Sequence, residues 1–177
     1  MTIARLAFTL TLALALIGSA NAKHPVRPEQ LHFSAEDEGV RHPVAIPTEV
    51  LAILGKDEMV KDILEDQNVS ADTMPPSWFS ASVVHLSAND EADLIVEGEP
   101  PVVGANITPF WVFCATDHGY ELVLTARAHD LEVKKRRWKG HHVIVMSGET
   151  AVVFTGVEFR WNGNRYTEFR EKSENLR

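Results

Sequence analysis

The sequence predicts an α+β domain in which one N-terminal helix packs on a twisted, mainly antiparallel β-meander sheet. Three observations predict it. Apolar residues recur at helical spacing once, between Thr48 and Leu64. Beyond Ser77 the pattern changes to short alternating or continuous apolar runs bounded by glycine-containing turns. Those turns are short, and short turns join antiparallel strands, since parallel neighbours need a crossover of a dozen residues or more. A small closed β-barrel is the rival arrangement.

Taken in order, the chain opens with Arg5, an apolar run over residues 6–17, and the small residues Gly18-Ser-Ala-Asn-Ala22. This is the pattern of a secretory signal peptide over residues 1–22, cleaved near Ala22. The apolar run is too short for a permanent anchor, and no cysteine stands at the cleavage point to accept lipid. A periplasmic or extracellular protein without a membrane anchor is expected. Residues 23–44 mix prolines and charge, as in His24-Pro-Val-Arg-Pro28 and Ser34-Ala-Glu-Asp-Glu38, without an apolar period. They read as a flexible lead-in. A single domain is expected over residues 45–170, with residues 171–177 as a C-terminal tail.

The helix follows Pro47, with Thr48 as its cap and Glu49 near its positive end. Its apolar stripe is Val50, Leu51, Leu54, Met59, Val60, Ile63 and Leu64. Gly55 is the weak point, costing up to about 1 kcal/mol relative to alanine, so a kink or a break into two short pieces is expected there. Met74-Pro-Pro-Ser77 is a linker, because consecutive prolines cannot continue a helix. Strands are expected over residues 78–86, 93–97, 108–115, 120–126, 131–135, 142–146, 151–161 and 165–169. Asp117-His-Gly119, Lys139-Gly140, Ser147-Gly148 and Asn162-Gly163 supply the turns. The strand over residues 151–161 is apolar on both faces for half its length, the mark of a central strand.

Composition narrows the chemistry. With 17 basic and 25 acidic residues, the 177-residue chain carries a formal net charge of −8. Nucleic acid, whose binding draws on clustered positive charge, is not an expected partner. One local exception is Lys134-Lys-Arg-Arg-Trp-Lys139, five cations around an indole. Arg136, Arg137, Trp138 and Lys139 are therefore candidate contacts to an acidic protein face or an anionic envelope polymer. Cys114 is the single cysteine and ends the apolar run Phe110-Trp-Val-Phe113, so it reads as a small core residue and no intrachain disulfide can form.

The stretch from Trp78 to Gly98 resembles one unit of the FG-GAP or VCBS type, in which a strand leads into an acidic calcium loop and an apolar strand returns. Asp93 before Leu94-Ile-Val96 matches the last ligand position, and Asn89, Asp90 and Glu91 stand in the loop. The resemblance implies that these four would hold calcium, the one cofactor suggested. Ser87 and His85 stand where carboxylates or amides would be expected, and Glu91-Ala92 replaces the usual glycine turn. Calcium needs six to eight oxygens. From Pro47 to Tyr166 the chain further resembles a group of exported bacterial proteins of unknown function. The shared segments are Gly104-Ala-Asn-Ile-Thr-Pro-Phe-Trp111, Gly119 to Leu124, Ala128 to Val133, and Trp161-Asn-Gly-Asn-Arg-Tyr166. That likeness implies the fold and export, and no activity.

The remaining chemistry lies with histidines and carboxylates. His129-Asp130 is the pair to inspect first, because a carboxylate beside an imidazole fixes its tautomer. Adjacent His141 and His142 would face opposite sides of a strand and so cannot converge on one ion. Glu97 with Glu99, or Glu121 with Glu132, could flank a glycosidic bond only if a cleft joined them. No nucleophile elbow, Walker loop, His-Glu-x-x-His or dinucleotide glycine pattern occurs. The leading expectation is an exported, non-enzymatic binding protein, of inhibitor or immunity type. An envelope or sugar hydrolase using carboxylates or His129 and Asp130, and a calcium-stabilised structural module, are the alternatives.

Overall fold

The structure, a computed structural model, describes residues 29–34, 39–89, 91–104 and 107–176. The proposed signal peptide, residues 23–28 and 35–38 of the lead-in, Asp90, Ala105 and Asn106 lie outside the described residues.

The helical pattern divides as its glycine suggests. Helix α1 (Thr48–Leu54) ends at Gly55, and helix α2 (Glu58–Asp66) restarts three residues later. Thr48 makes no capping hydrogen bond; it is the first helical residue, preceded by Pro47. Asp57 caps α2 by accepting from the Met59 amide at 3.0 Å. Its other oxygen accepts from the Trp111 indole at 3.1 Å, so one carboxylate both starts the helix and ties it to the sheet below. Two short 3-10 turns, Ala71–Thr73 and Pro76–Trp78, carry the proline linker.

The described residues form nine strands: β1 (His32–Ser34), β2 (Phe79–Val84), β3 (Asp93–Gly98), β4 (Thr108–Thr116), β5 (Gly119–Ala128), β6 (Asp130–Trp138), β7 (His141–Glu149), β8 (Val153–Trp161) and β9 (Tyr166–Asn175). They make two sheets rather than one, in the orders β2-β3-β4-β5 and β1-β6-β7-β8-β9. Every pairing is antiparallel, neither sheet closes into a barrel, and the fold is mainly β with two short helices. The expectation of a single meander fails at one residue. His129 alone separates β5 from β6, and there the chain leaves one sheet for the other, with the His129 amide bonded to the Ser147 carbonyl at 2.8 Å. A hairpin turn and a corner between sheets are both short connections, so local pattern does not separate them.

The layers run helices, four-stranded sheet, five-stranded sheet. One core fills the space between helices and sheet with Val50, Leu54, Val60, Leu94, Val96 and Trp111. The other lies between the sheets, around Ile95, Phe110, Val112, Leu131 and Ile144. Strand β3 is buried at all six positions because it has a core on each side. The doubly apolar pattern of residues 151–161 suggested a central strand of that kind, but β8 is mostly half-buried, and β3 and β4 hold the central place.

Three other expectations are corrected. Ser147-Gly148 is no turn: β7 runs through it, Gly148 faces Thr155 across the ladder, and the reversal comes at Thr150, whose amide bonds the Val153 carbonyl. Residues 171–175 belong to β9 rather than to a tail. Within the lead-in, β1 pairs with β6 and inserts Phe33 into the core between the sheets. Lys139 and Gly140, both at positive φ, form the β6–β7 hairpin as their sequence indicates.

Candidate functional site

Strand alternation sorts the basic run Lys134-Lys-Arg-Arg-Trp-Lys139 by face. Arg136 and Trp138 stand on the outer face of the five-stranded sheet, the side turned away from the core between the sheets. Arg137 points elsewhere, donating from Nε to His142 at 3.1 Å and from its terminal nitrogen to the Gly140 carbonyl at 3.5 Å. Lys139 closes the hairpin by donating to the Asn162 carbonyl at 2.8 Å. The cations around the indole are therefore not all its sequence neighbours.

Arg160 of β8 provides the contact instead. Its guanidinium lies 4.6 Å from the Trp138 ring centroid and 3.3 Å from that of Phe169 in β9, a cation held between two rings. Its Nε also donates to Glu158 at 2.6 Å. Arg136 reaches the same carboxylate at 2.6 Å and Arg170 at 3.3 Å. Burial alone would raise the Glu158 pKa, but the hydrogen bonds and charges of Arg136 and Arg160 overcome it and hold the carboxyl at about 2. Three guanidinium groups thus converge on one buried carboxylate, and the cluster of four side chains carries more positive than negative charge. The two rings remain open, Trp138 at 45% exposure and Phe169 at 54%. Glu158, Arg160, Phe169 and Arg170 were not singled out from sequence; the signal available was the alternation that puts Glu158 and Arg160 on one face.

His129 and Asp130 do not join this group. They sit at the other end of β6 from Trp138, a run of eight residues or roughly 26 Å of extended strand. His129 Nδ1 and Asp130 Oδ2 are 3.2 Å apart, Ser147 donates to the same oxygen at 3.4 Å, and His32 lies 3.8 Å from the other. Burial pushes the Asp130 pKa up, but hydrogen bonds from Ser34 and His129 outweigh it and lower the value. The arrangement locks the corner between the sheets.

The loop that resembles a calcium unit lines a polar cleft of about 230 Å³ with Asn89, Glu91, Asp93 and, from neighbouring strands, Glu121 and His141. Asp93 is buried, and both of its oxygens are engaged: Oδ2 accepts from the Leu86 amide at 2.8 Å and Oδ1 from the Ala115 amide at 2.9 Å. It staples the loop to β4. Among the described residues no group of three or more His, Cys, Asp or Glu side chains is placed to hold a metal ion. Cys114 borders the cleft, and burial followed by the nearby Asp93 and Glu121 charges pushes its thiol up to about 12, far from a thiolate nucleophile.

Of the carboxylate pairs, Glu121 and Glu132 stand on different sheets. Glu97 is 5% exposed, its Oε2 has no hydrogen-bond partner among the described residues, and burial with Glu99 nearby raises its pKa to about 7. No helix among the described residues is long and apolar enough to cross a membrane. No protein-family model, curated protein or solved structure matches this chain.

Proposed function

We propose that this protein is an exported binding protein whose outer sheet face, built on Arg136, Trp138, Arg160, Phe169 and Arg170, docks against an acidic protein surface or an anionic envelope polymer. One observation carries the reading: a guanidinium is clamped between two exposed rings and held from beneath by a buried carboxylate. Aromatic and arginine side chains dominate the energetics of protein interfaces, because they bring large area and directional charge at low entropic cost. Such a surface on a chain of net charge −8 selects for negative partners. Inhibitor- or immunity-type binding is the form that fits a domain of this size. The histidine–carboxylate corner and the engaged Asp93 support this reading over a hydrolase or a calcium module, since both groups are already committed to holding the fold together.

The test uses isothermal titration with polyglutamate, as a mimic of an acidic protein face, and dextran sulfate, as an acidic polysaccharide. At least one is expected to bind, more weakly as salt rises. Combining Arg136→Gln with Trp138→Ala is expected to lower that affinity at least tenfold, with a modest fall in Tm from the lost Arg136–Glu158 pair that leaves the protein folded at the titration temperature. Binding unaffected by the double substitution, or by neither probe at low salt, would overturn the proposal.

A further inference from the structure

We infer that the free edge of the four-stranded sheet carries a second binding site, for an anionic amphiphile: a single apolar chain ending in a carboxylate. Two cavities meet there, of about 490 Å³ and about 210 Å³, and Ile107 and Arg127 line both. Their combined size is that of a small-molecule site. The larger is walled by Ile63, Val102, Val103 and Pro109, the smaller by Ala126, Ala128, Met146, Val157 and Phe159. The smaller cavity is the mouth of the core between the sheets, since Ala128 and Met146 belong to that core and Ala126 and Phe159 pack against it.

The polar groups of the smaller cavity decide the ligand class. The Ser147 hydroxyl donates to Asp130, His129 Nδ1 stands 3.2 Å from the same carboxylate, and the Thr155 hydroxyl pairs with Ser173. Arg127 is different. It alternates with Ala126 and Ala128, so its side chain leaves β5 on the helix side, where the guanidinium contacts the Met59 sulfur at 3.1 Å, a weak acceptor, and makes no ion pair among the described residues; it stands at the rim of the smaller cavity rather than inside it. Among the described residues, neither cavity is lined by an aspartate or glutamate. Ile107 stands 51% exposed beside Arg127. One cation at the junction of two carbon-lined spaces suits a ligand with one anionic end and an unfunctionalised body.

Gly148 supports the same assignment. It follows Met146 by two residues and so shares its inward face, and a Cβ built on it meets nothing within 4 Å. A larger side chain there would have room inside the smaller cavity, which the glycine leaves open. The site uses Val157 and Phe159 of β8, on the face opposite Glu158 and Arg160, so it stands independently of the outer sheet face.

The test titrates the purified protein with decanoate, decanol and decyltrimethylammonium below their micelle concentrations, followed by amide chemical shifts. Decanoate is expected to bind saturably at one site, moving amides of residues 126–129, 146–148 and 155–159, at least tenfold more tightly than decanol and with no binding of the ammonium compound. Arg127→Gln is expected to reduce decanoate to the level of decanol. Gly148→Phe, which occupies open space, is expected to abolish decanoate binding with Tm unchanged or raised. Equal binding of all three probes, wild-type binding by either variant, no saturation, or preference for an apolar C-terminal peptide over decanoate would each overturn the inference.

Discussion

Asp93 carries a structural task that its place in the sequence pattern does not announce. It stands where a calcium-loop aspartate would stand, yet its two oxygens accept main-chain amides from Leu86 and Ala115. Replacing it with alanine would leave two donors unpaired in a buried setting, at a cost of roughly 2–4 kcal/mol. Asp93→Ala is accordingly expected to lower the urea midpoint strongly with calcium present or absent, and a loss seen only with calcium present would show that the ion was the stabilising partner. Trp138 was legible from its basic neighbours, but its actual cation is Arg160, from a strand 22 residues later in the sequence. Side-chain partners across a sheet depend on register, which a single strand's pattern does not contain.

Among the elements, the helix was readable from its apolar stripe, and Gly55 marked where it would divide. What restarts it was not singled out from sequence: Asp57 caps α2 and at the same time receives the Trp111 indole. Asp57→Ala is expected to destabilise the protein by about 1–2 kcal/mol, the upper end because a buried indole donor is orphaned together with the cap. Denaturation followed by tryptophan fluorescence checks this, and an Asp57→Asn protein should recover part of the loss. The eight strands expected after residue 77 all form, since period-two alternation and turn glycines are local properties. Strand β1 was missed because three residues show no period, and its place depends on an edge of β6 far away in sequence. The turn expected at Ser147-Gly148 failed because an isolated glycine inside a strand looks the same as one in a hairpin until the partner strand is known.

At the scale of the whole molecule, two buried acids shape stability in opposite directions. Glu97 has a folded pKa of about 7, raised above its unfolded value, so its favourable contribution is complete below the unfolded carboxyl range and is lost as pH rises through about 7. Glu158, lowered to about 2, contributes above the unfolded carboxyl range and loses that contribution as pH falls toward 2. Tm is therefore expected to peak near pH 5 and decline on both sides. Glu97→Gln should flatten the decline between pH 5 and 8 while leaving the acid limb, and an unchanged profile in that variant would assign the decline to other groups. Addition of a chelator is expected to leave Tm unchanged near neutral pH, because the loop's buried aspartate is already bonded; a shift of several degrees would restore the calcium-stabilised alternative. The sequence by itself determined the strands, most of their turns, the divided helix and the negative overall charge, all of which follow from short-range pattern and composition. Only the tertiary structure decided that the meander folds over at His129 into two sheets, that Arg160 rather than the basic run holds Trp138, and that Arg127 meets two apolar cavities. Those facts rest on contacts between segments distant in the chain, and local periodicity carries no record of which distant segment will arrive.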